Sequence, residues 1–386
     1  MKALDRLRWR VVKFGLCLGG FSLSFLYLNV FEEYLHIKQW EHILGYTSII
    51  IPDTLIYAAV INPDDPFLSV INCGIKNSLG PSMLWYLSNF NWYAVTVINW
   101  FFILGIVIYM EKIAVHYGLN KLSTQLMVVL FLILPATIYY SIGALKELPM
   151  MFLLLFFLHG RLSRSKFQMI FAAVFLVLFR YQLIVILLLV SMLSFKNKLQ
   201  LVFGTLLVLF VASVYPLMSG IDILSTEATT LYREQYGIPG SLGEYIENIR
   251  GNYFIISVIG VLVRTAQSIF EPIITYMRQL SFHEGSSLSV FSVVQVFTIL
   301  IILPYFLLFF KKVQKFFRLG SNVDPDIQYI YTLLVLSLVL IGGFSFIHHR
   351  YLYPFFPLIM IASLIPSNSI IIKKSRTTSL RSGANL

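Results

Sequence analysis

The sequence predicts an all-α polytopic membrane protein, and three observations lead there. Of 386 residues, 58% are hydrophobic and only 12% charged, too few charges to surround a single core with a water-facing surface. Mean hydropathy is +0.80, and apolar runs near the length of a membrane crossing recur along the chain. Lys and Arg gather in alternate gaps between those runs, as the positive-inside bias requires.

The first run belongs to 1-MKALDRLRWRVVKFGLCLGGFSLSFLYLNVF-31. It has a basic start, the ~20 apolar residues needed to span, and no small-residue cleavage site, so it reads as an uncleaved helix with its N-terminus in the cytoplasm. Further runs fall at 91–110, 121–141, 147–160, 167–179, 181–195, 199–218, 287–310, 326–347 and 350–367. With the first they make about ten crossings. Segments 44–62, with Pro52 and Asp53 at its centre, and 254–271, with Arg264 and Glu271, would raise the count to eleven or twelve if they also cross. The first is better read as helices lying at or dipping into the outer interface. The pair 167–179 and 181–195 is short: ~13 residues cover ~20 Å of a ~30 Å core. Either the bilayer is thinned there, or Arg180 sits below the headgroups in a protein-lined pocket.

The basic gaps 161-RLSRSK-166, 196-KNK-198 and 311-KKVQKFFR-318, with the tail 373-KKSRTTSLR-381, all fall on the cytoplasmic side. That side receives most of the 29 Lys+Arg and few of the 18 Asp+Glu. The expected organisation is one membrane domain over 1–386, with a first extracytoplasmic loop at 32–90, a second at 219–286 and a basic cytoplasmic tail at 368–386. Short outer turns fall at 142–147, 180 and 348–350. The net charge of +11 is a sum over two membrane faces and gives no reason to expect nucleic acid. Cys17 and Cys73 form neither a metal-ligand spacing nor a disulfide framework.

The unusual polar residues collect on the outer face. Glu32 and Glu33 follow the first helix; Asp64 and Asp65 lie later in that loop; Lys146, Glu147, Arg180 with Tyr181, and the triplet His348, His349, Arg350 occupy the turns; Arg233, Glu234, Glu244, Glu247 and Arg250 lie in the second loop. Basic groups at outer helix ends run against the positive-inside bias, and an ionisable group near membrane depth is costly enough to be a functional candidate. Each has a plainer reading. Arg350 would snorkel to the headgroups while Tyr351 and Tyr353 anchor the interface; Lys146 and Glu147 would be a surface turn pair; Asp64 and Asp65, between Pro63 and Pro66, would form a rigid turn; Glu32 and Glu33 would be a solvated helix end; and the histidines have the wrong neighbours for a metal site.

Arginines beside carboxylates at the outer leaflet suit a lipid with an anionic phosphate or diphosphate headgroup, held by bidentate hydrogen bonds. A carboxylate or histidine would then take a proton from an attacking sugar hydroxyl. No Walker A loop is present, so the expected donor is a lipid-linked sugar rather than a cytosolic nucleotide sugar. No cofactor or metal is called for.

The segment 135-PATIYYSIGALKELPMMFLLLFF-157, the LFRYQ turn around Arg180, the loop 219–252 and the closing RYLYPFFPLIMIA at 350–362 resemble Wzy-type O-antigen and capsule repeat-unit polymerases. The resemblance covers most of the chain as a layout. It implies transfer of a growing glycan from undecaprenyl diphosphate to the next lipid-linked repeat unit, without metal, at the periplasmic face of a bacterial inner membrane with both termini cytoplasmic. It also implies a chain-length regulator and other assembly proteins as partners. Arg180 and Arg350 would hold the diphosphate, with Arg233 and Arg250 steering the glycan. Lys146, Tyr181 and His348 would assist binding, and the base would come from Glu32, Glu33, Asp64, Asp65, Glu147 or His349. The arginine-to-glycine loop spacing of some members is not evident here. The nearest rival is a C-type glycosyltransferase using a polyprenyl-phosphate sugar, for which FEEYLHIK after the first helix is suitably placed. A lipid-linked oligosaccharide flippase would need cationic residues deep in a central cavity. A non-catalytic membrane scaffold would leave the outer arginines unexplained.

Overall fold

The computed structural model describes residues 2–30, 79–192, 269–270, 273, 290–319, 323–342 and 351–366. Among the described residues the chain is nearly all helical, with no strand. In chain order come α1 (Lys2–Val30), α2 (Leu79–Leu87), α3 (Trp92–His116), α4 (Lys121–Ile133), α5 (Pro135–Tyr140), α6 (Glu147–Leu162), α7 (Lys166–Met192), α8 (Val290–Leu319), α9 (Pro325–Gly342) and, after a 3₁₀ turn at Tyr353–Phe355, α10 (Phe356–Leu364). Segments of α1, α3 and α8 (Asp5–Val30, Trp92–His116 and Val293–Phe316) are long and apolar enough to cross a membrane. The molecule is an all-α membrane protein.

Each break in this sequence of helices has a local cause. Asn91 caps α3 by accepting from the Tyr93 and Ala94 N–H groups, and Asn120 caps α4 by accepting from Ser123. Each satisfies a donor that the first helical turn leaves open. The apolar run 121–141 is not one helix. Pro135 lacks an N–H and its ring would clash with the preceding turn, so α4 stops at Ile133 and the proline starts α5. Conversely, the basic stretch 311–318 is not a gap: it forms the last turns of α8. The closing run, expected to cross, is instead a 3₁₀ turn and a short buried helix, and α10 ends at Leu364 just before Pro366. At ~1.5 Å per residue Tyr353–Leu364 reaches only ~18 Å.

The expected reversal at Arg180 is found in the structure. A straight α7 would carry Ser191 about 38 Å from Lys166. Yet Ser191 Oγ stands 3.4 Å from the Tyr329 hydroxyl, and the Arg161 guanidinium, just before α7 begins, lies 3.9 Å from the centre of the same ring. Both ends of α7 therefore meet α9 at one level. The helical path is broken at Arg180, whose backbone is extended (φ −164°, ψ 89°), and α7 is a hairpin with that residue at its tip.

The bundle thus has two distinct ends. At the end where α1 begins, Glu111 accepts hydrogen bonds from Trp9 at 2.7 Å and from Lys13 at 2.6 Å. There too the Tyr117 hydroxyl donates to the Asp326 carbonyl at 3.0 Å, and Lys312 of α8 donates to the Ile365 carbonyl. Burial, with Asp326 and Asp324 nearby, holds the Tyr117 phenol well above its ordinary pKa. Every described Lys and Arg belongs to this end except Lys146 and Arg180. The segments 44–62 and 199–218, the loops 32–90 and 219–286 and the tail 368–386 lie outside the described residues or nearly so: residues 79–90, Ile269, Phe270 and Ile273 alone are described there.

Candidate active site

At the opposite end the chain makes an unusual choice. After α5, residues Ser141–Lys146 are not helical, yet every residue from Ser141 to Met150 is buried. Non-helical backbone inside a membrane protein requires protein partners for its polar groups. Asn99 of α3 supplies them: Nδ2 donates to the Ser141 carbonyl at 2.9 Å and to the Gly143 carbonyl at 2.8 Å. Thr96, on the same face of α3, has its hydroxyl 3.4 Å from the Ile142 carbonyl. From α1, Ser24 Oγ lies 2.8 Å from Ser141 Oγ and accepts from Trp100 Nε1 at 3.1 Å. Trp100 reaches Ser24 because Gly20 carries no side chain, and a Cβ there would run into the indole.

This buried connection ends at Lys146 and Glu147, 7% and 2% exposed, and with Arg180, 5% exposed, they are the only charged residues among the buried described ones. The turn expected at the surface is therefore inside the protein, which overturns the reading of Lys146 and Glu147 as a solvated pair. Glu147 opens α6, where a carboxylate is favoured by the helix dipole.

Residues 351–353 lie against two of the three charges, Arg180 and Glu147. The Arg180 guanidinium carbon lies 4.4 Å from the centre of the Tyr351 ring, a cation–π contact. The Tyr353 ring packs on Tyr140 at 4.6 Å between centroids, its hydroxyl donates to Thr137 Oγ1 at 2.9 Å, and Glu147 is within electrostatic range of it. Thr137 in turn donates to the Phe131 carbonyl at 2.7 Å across the Pro135 break. Tyr353 is fully buried, so it braces this end rather than anchoring a membrane interface. The hairpin tip is closed by α2: Gly80 packs against Phe179, whose Cδ1 would be 2.5 Å from any Cβ at that position.

Of the sequence-derived site residues, Glu147 and Arg180 thus border one short segment, Lys146 immediately precedes Glu147 in the chain, and Tyr181 follows Arg180 at the backbone break. Glu32, Asp64, Arg233, Arg250, His348, His349 and Arg350 lie outside the described residues, as do Glu33 and Asp65. Sequence reasoning missed Asn99, Thr137 and the positions of Tyr351 and Tyr353 against the charges. A lone asparagine in VTVINWFF, with Thr96 one turn earlier, was the available signal. Chemically, a buried guanidinium and ammonium beside a carboxylate can bind an anion and accept a proton. Among the described residues no His, Cys, Asp and Glu cluster could hold a metal ion.

No protein-family model, curated protein or solved structure matches this chain. Its class is therefore defined by its own features: an all-α membrane protein with Lys146, Glu147 and Arg180 buried at the end opposite the other described basic residues.

Proposed function

We propose that this chain polymerises undecaprenyl-diphosphate-linked oligosaccharide units into O-antigen or capsular polysaccharide at the periplasmic face of the bacterial inner membrane. The observation that carries the reading is the burial of Lys146, Glu147 and Arg180 at the end from which the other described basic residues are absent. Cations at that end run against the positive-inside bias, and their charge and donors suit the diphosphate of a lipid entering laterally from the membrane.

In this reaction Arg180 and Lys146, joined by Arg350, hold the diphosphate. The acceptor sugar hydroxyl attacks the anomeric carbon of the donor glycan; the bond from that carbon to the diphosphate oxygen breaks, and the diphosphate leaves with the electron pair. Glu147 takes the hydroxyl proton, or Glu32, Asp64 or His349 does so in its place. Arg233, Arg250, Tyr181 and His348 contact the glycan.

The second reading, a C-type glycosyltransferase using a polyprenyl-phosphate sugar, draws support from α1. Tyr27, in its last turn, meets Tyr139 edge-on at 6.3 Å, so α1 finishes at the Arg180 end, and Glu32 follows its last residue, Val30, closely in sequence.

The test is the lipopolysaccharide or capsule banding of a deletion strain with and without the gene. A single core-plus-one-unit band that becomes a ladder on restoration is the expected outcome. Loss of even that unit, with a truncated lipid-linked intermediate, favours the second reading, and an unchanged ladder refutes both.

A further inference from the structure

We infer that Tyr351 is a positioning residue that presents the in-plane N–H groups of Arg180 to the diphosphate of a polyprenyl lipid. The inference rests on the polymerase reading and adds how its main cation is aimed. Three observations lead to it. Arg180 stands at the tip of the α7 hairpin, where its extended backbone interrupts the helix and one face of the tip is closed by Gly80 and Phe179. Its guanidinium then lies 4.4 Å from the centre of the Tyr351 ring. Tyr351 is itself only half-buried, while its neighbours from Leu352 to Phe356 are all buried, which fixes the backbone that carries it.

The chemistry follows from the shape of the group. A guanidinium is a flat cation whose donors all point outward in its own plane. An aromatic ring against its face takes up the face without consuming a donor, and it prevents the plane from turning. A diphosphate needs paired, coplanar donors, so holding the plane orients the bidentate contact before the lipid arrives. A lysine at position 180 would keep the charge but lose both the stack and the fork.

The experiment uses the full chain in nanodiscs, with undecaprenyl diphosphate as the probe and undecaprenyl monophosphate as the comparison. The variants are Tyr351→Phe, Tyr351→Leu, Tyr351→Met, Arg180→Ala and the Arg180→Ala/Tyr351→Leu double. Tyr351→Phe keeps the ring and should bind the diphosphate as the parent does. Tyr351→Leu and Tyr351→Met should each lose about tenfold, with a smaller loss for the monophosphate, and the double variant should be no weaker than Arg180→Ala alone. Two replacements of similar volume guard against one of them failing to fold. If Tyr351→Leu and Tyr351→Met bind normally, if Tyr351→Phe is as weak as they are, or if the losses add in the double variant, Tyr351 does not position Arg180. If Arg180→Ala itself binds the diphosphate like the parent, the polymerase reading of the site fails as well, and the two failures are thereby told apart.

Discussion

The Asn99 amide nitrogen and the Gly143 carbonyl oxygen stand 2.8 Å apart, inside the protein, where a helix residue and a non-helical one meet. The same amide nitrogen reaches Ser141 at 2.9 Å, so both of its hydrogens are used, and Oδ1 has no partner among the described residues. Asn99→Leu would leave two buried carbonyls without that donor. The expected cost is about 2–5 kcal/mol, read as a lowered midpoint in thermal unfolding of the detergent-solubilised protein. Asn99→Asp should be worse still, since it sets a carboxylate against two carbonyl oxygens.

Gly80 lies where a side chain would displace the Phe179 ring, next to Arg180. Gly80→Ala should therefore shorten or abolish the polysaccharide ladder at normal protein level. Phe179→Leu, which makes room, should restore it in the double variant, and a ladder unchanged by Gly80→Ala would show that the hairpin tip tolerates displacement.

Tyr353→Phe removes one buried donor, the bond to Thr137 at 2.9 Å, and keeps the ring packing on Tyr140. A loss of about 1 kcal/mol in stability is expected. The banding pattern decides more than that: it should persist if Tyr353 only braces the segment, and disappear if the hydroxyl takes part in proton transfer with Glu147.

At the other end, Glu111 is bound by Trp9 and Lys13. Glu111→Ala should destabilise the fold by about 1–3 kcal/mol by leaving a partly buried ammonium and an indole N–H without their acceptor. Polymer length should be unaffected, because this contact lies at the opposite end of α3 from the proposed site. A change in ladder length at unchanged protein level would show that the two ends are coupled.

The parts legible in the sequence were those governed by the cost of charge in hydrocarbon. The basic gap 161–166 and the basic stretch 311–318 identified one end of the bundle because a cation in lipid is expensive wherever it occurs. Arg180 between two short apolar runs was readable as a reversal for the same reason. What hydropathy did not show was the path of the backbone. The run 121–141 reads as a single crossing because averaging passes over Pro135, and the burial of 141–146 depends on Asn99, distant in sequence and indistinguishable there from any helix-packing amide. Tyrosines number 22, too many for Tyr351 or Tyr353 to stand out until Arg180 and Thr137 were seen beside them.

The connection between α5 and α6 also bears on how the protein is made. Ser24, Thr96 and Asn99, which hydrogen-bond or closely approach this stretch, all precede it in the chain. Synthesis proceeds from the N-terminus, so α1 and α3 are translated, and available for insertion, before Ser141 leaves the ribosome. The carbonyls at Ser141 and Gly143 can then pass from the translocon to a waiting amide without facing acyl chains. A circular permutant that began at Lys121 would reverse that order, exposing this stretch to the bilayer before its partners had been translated.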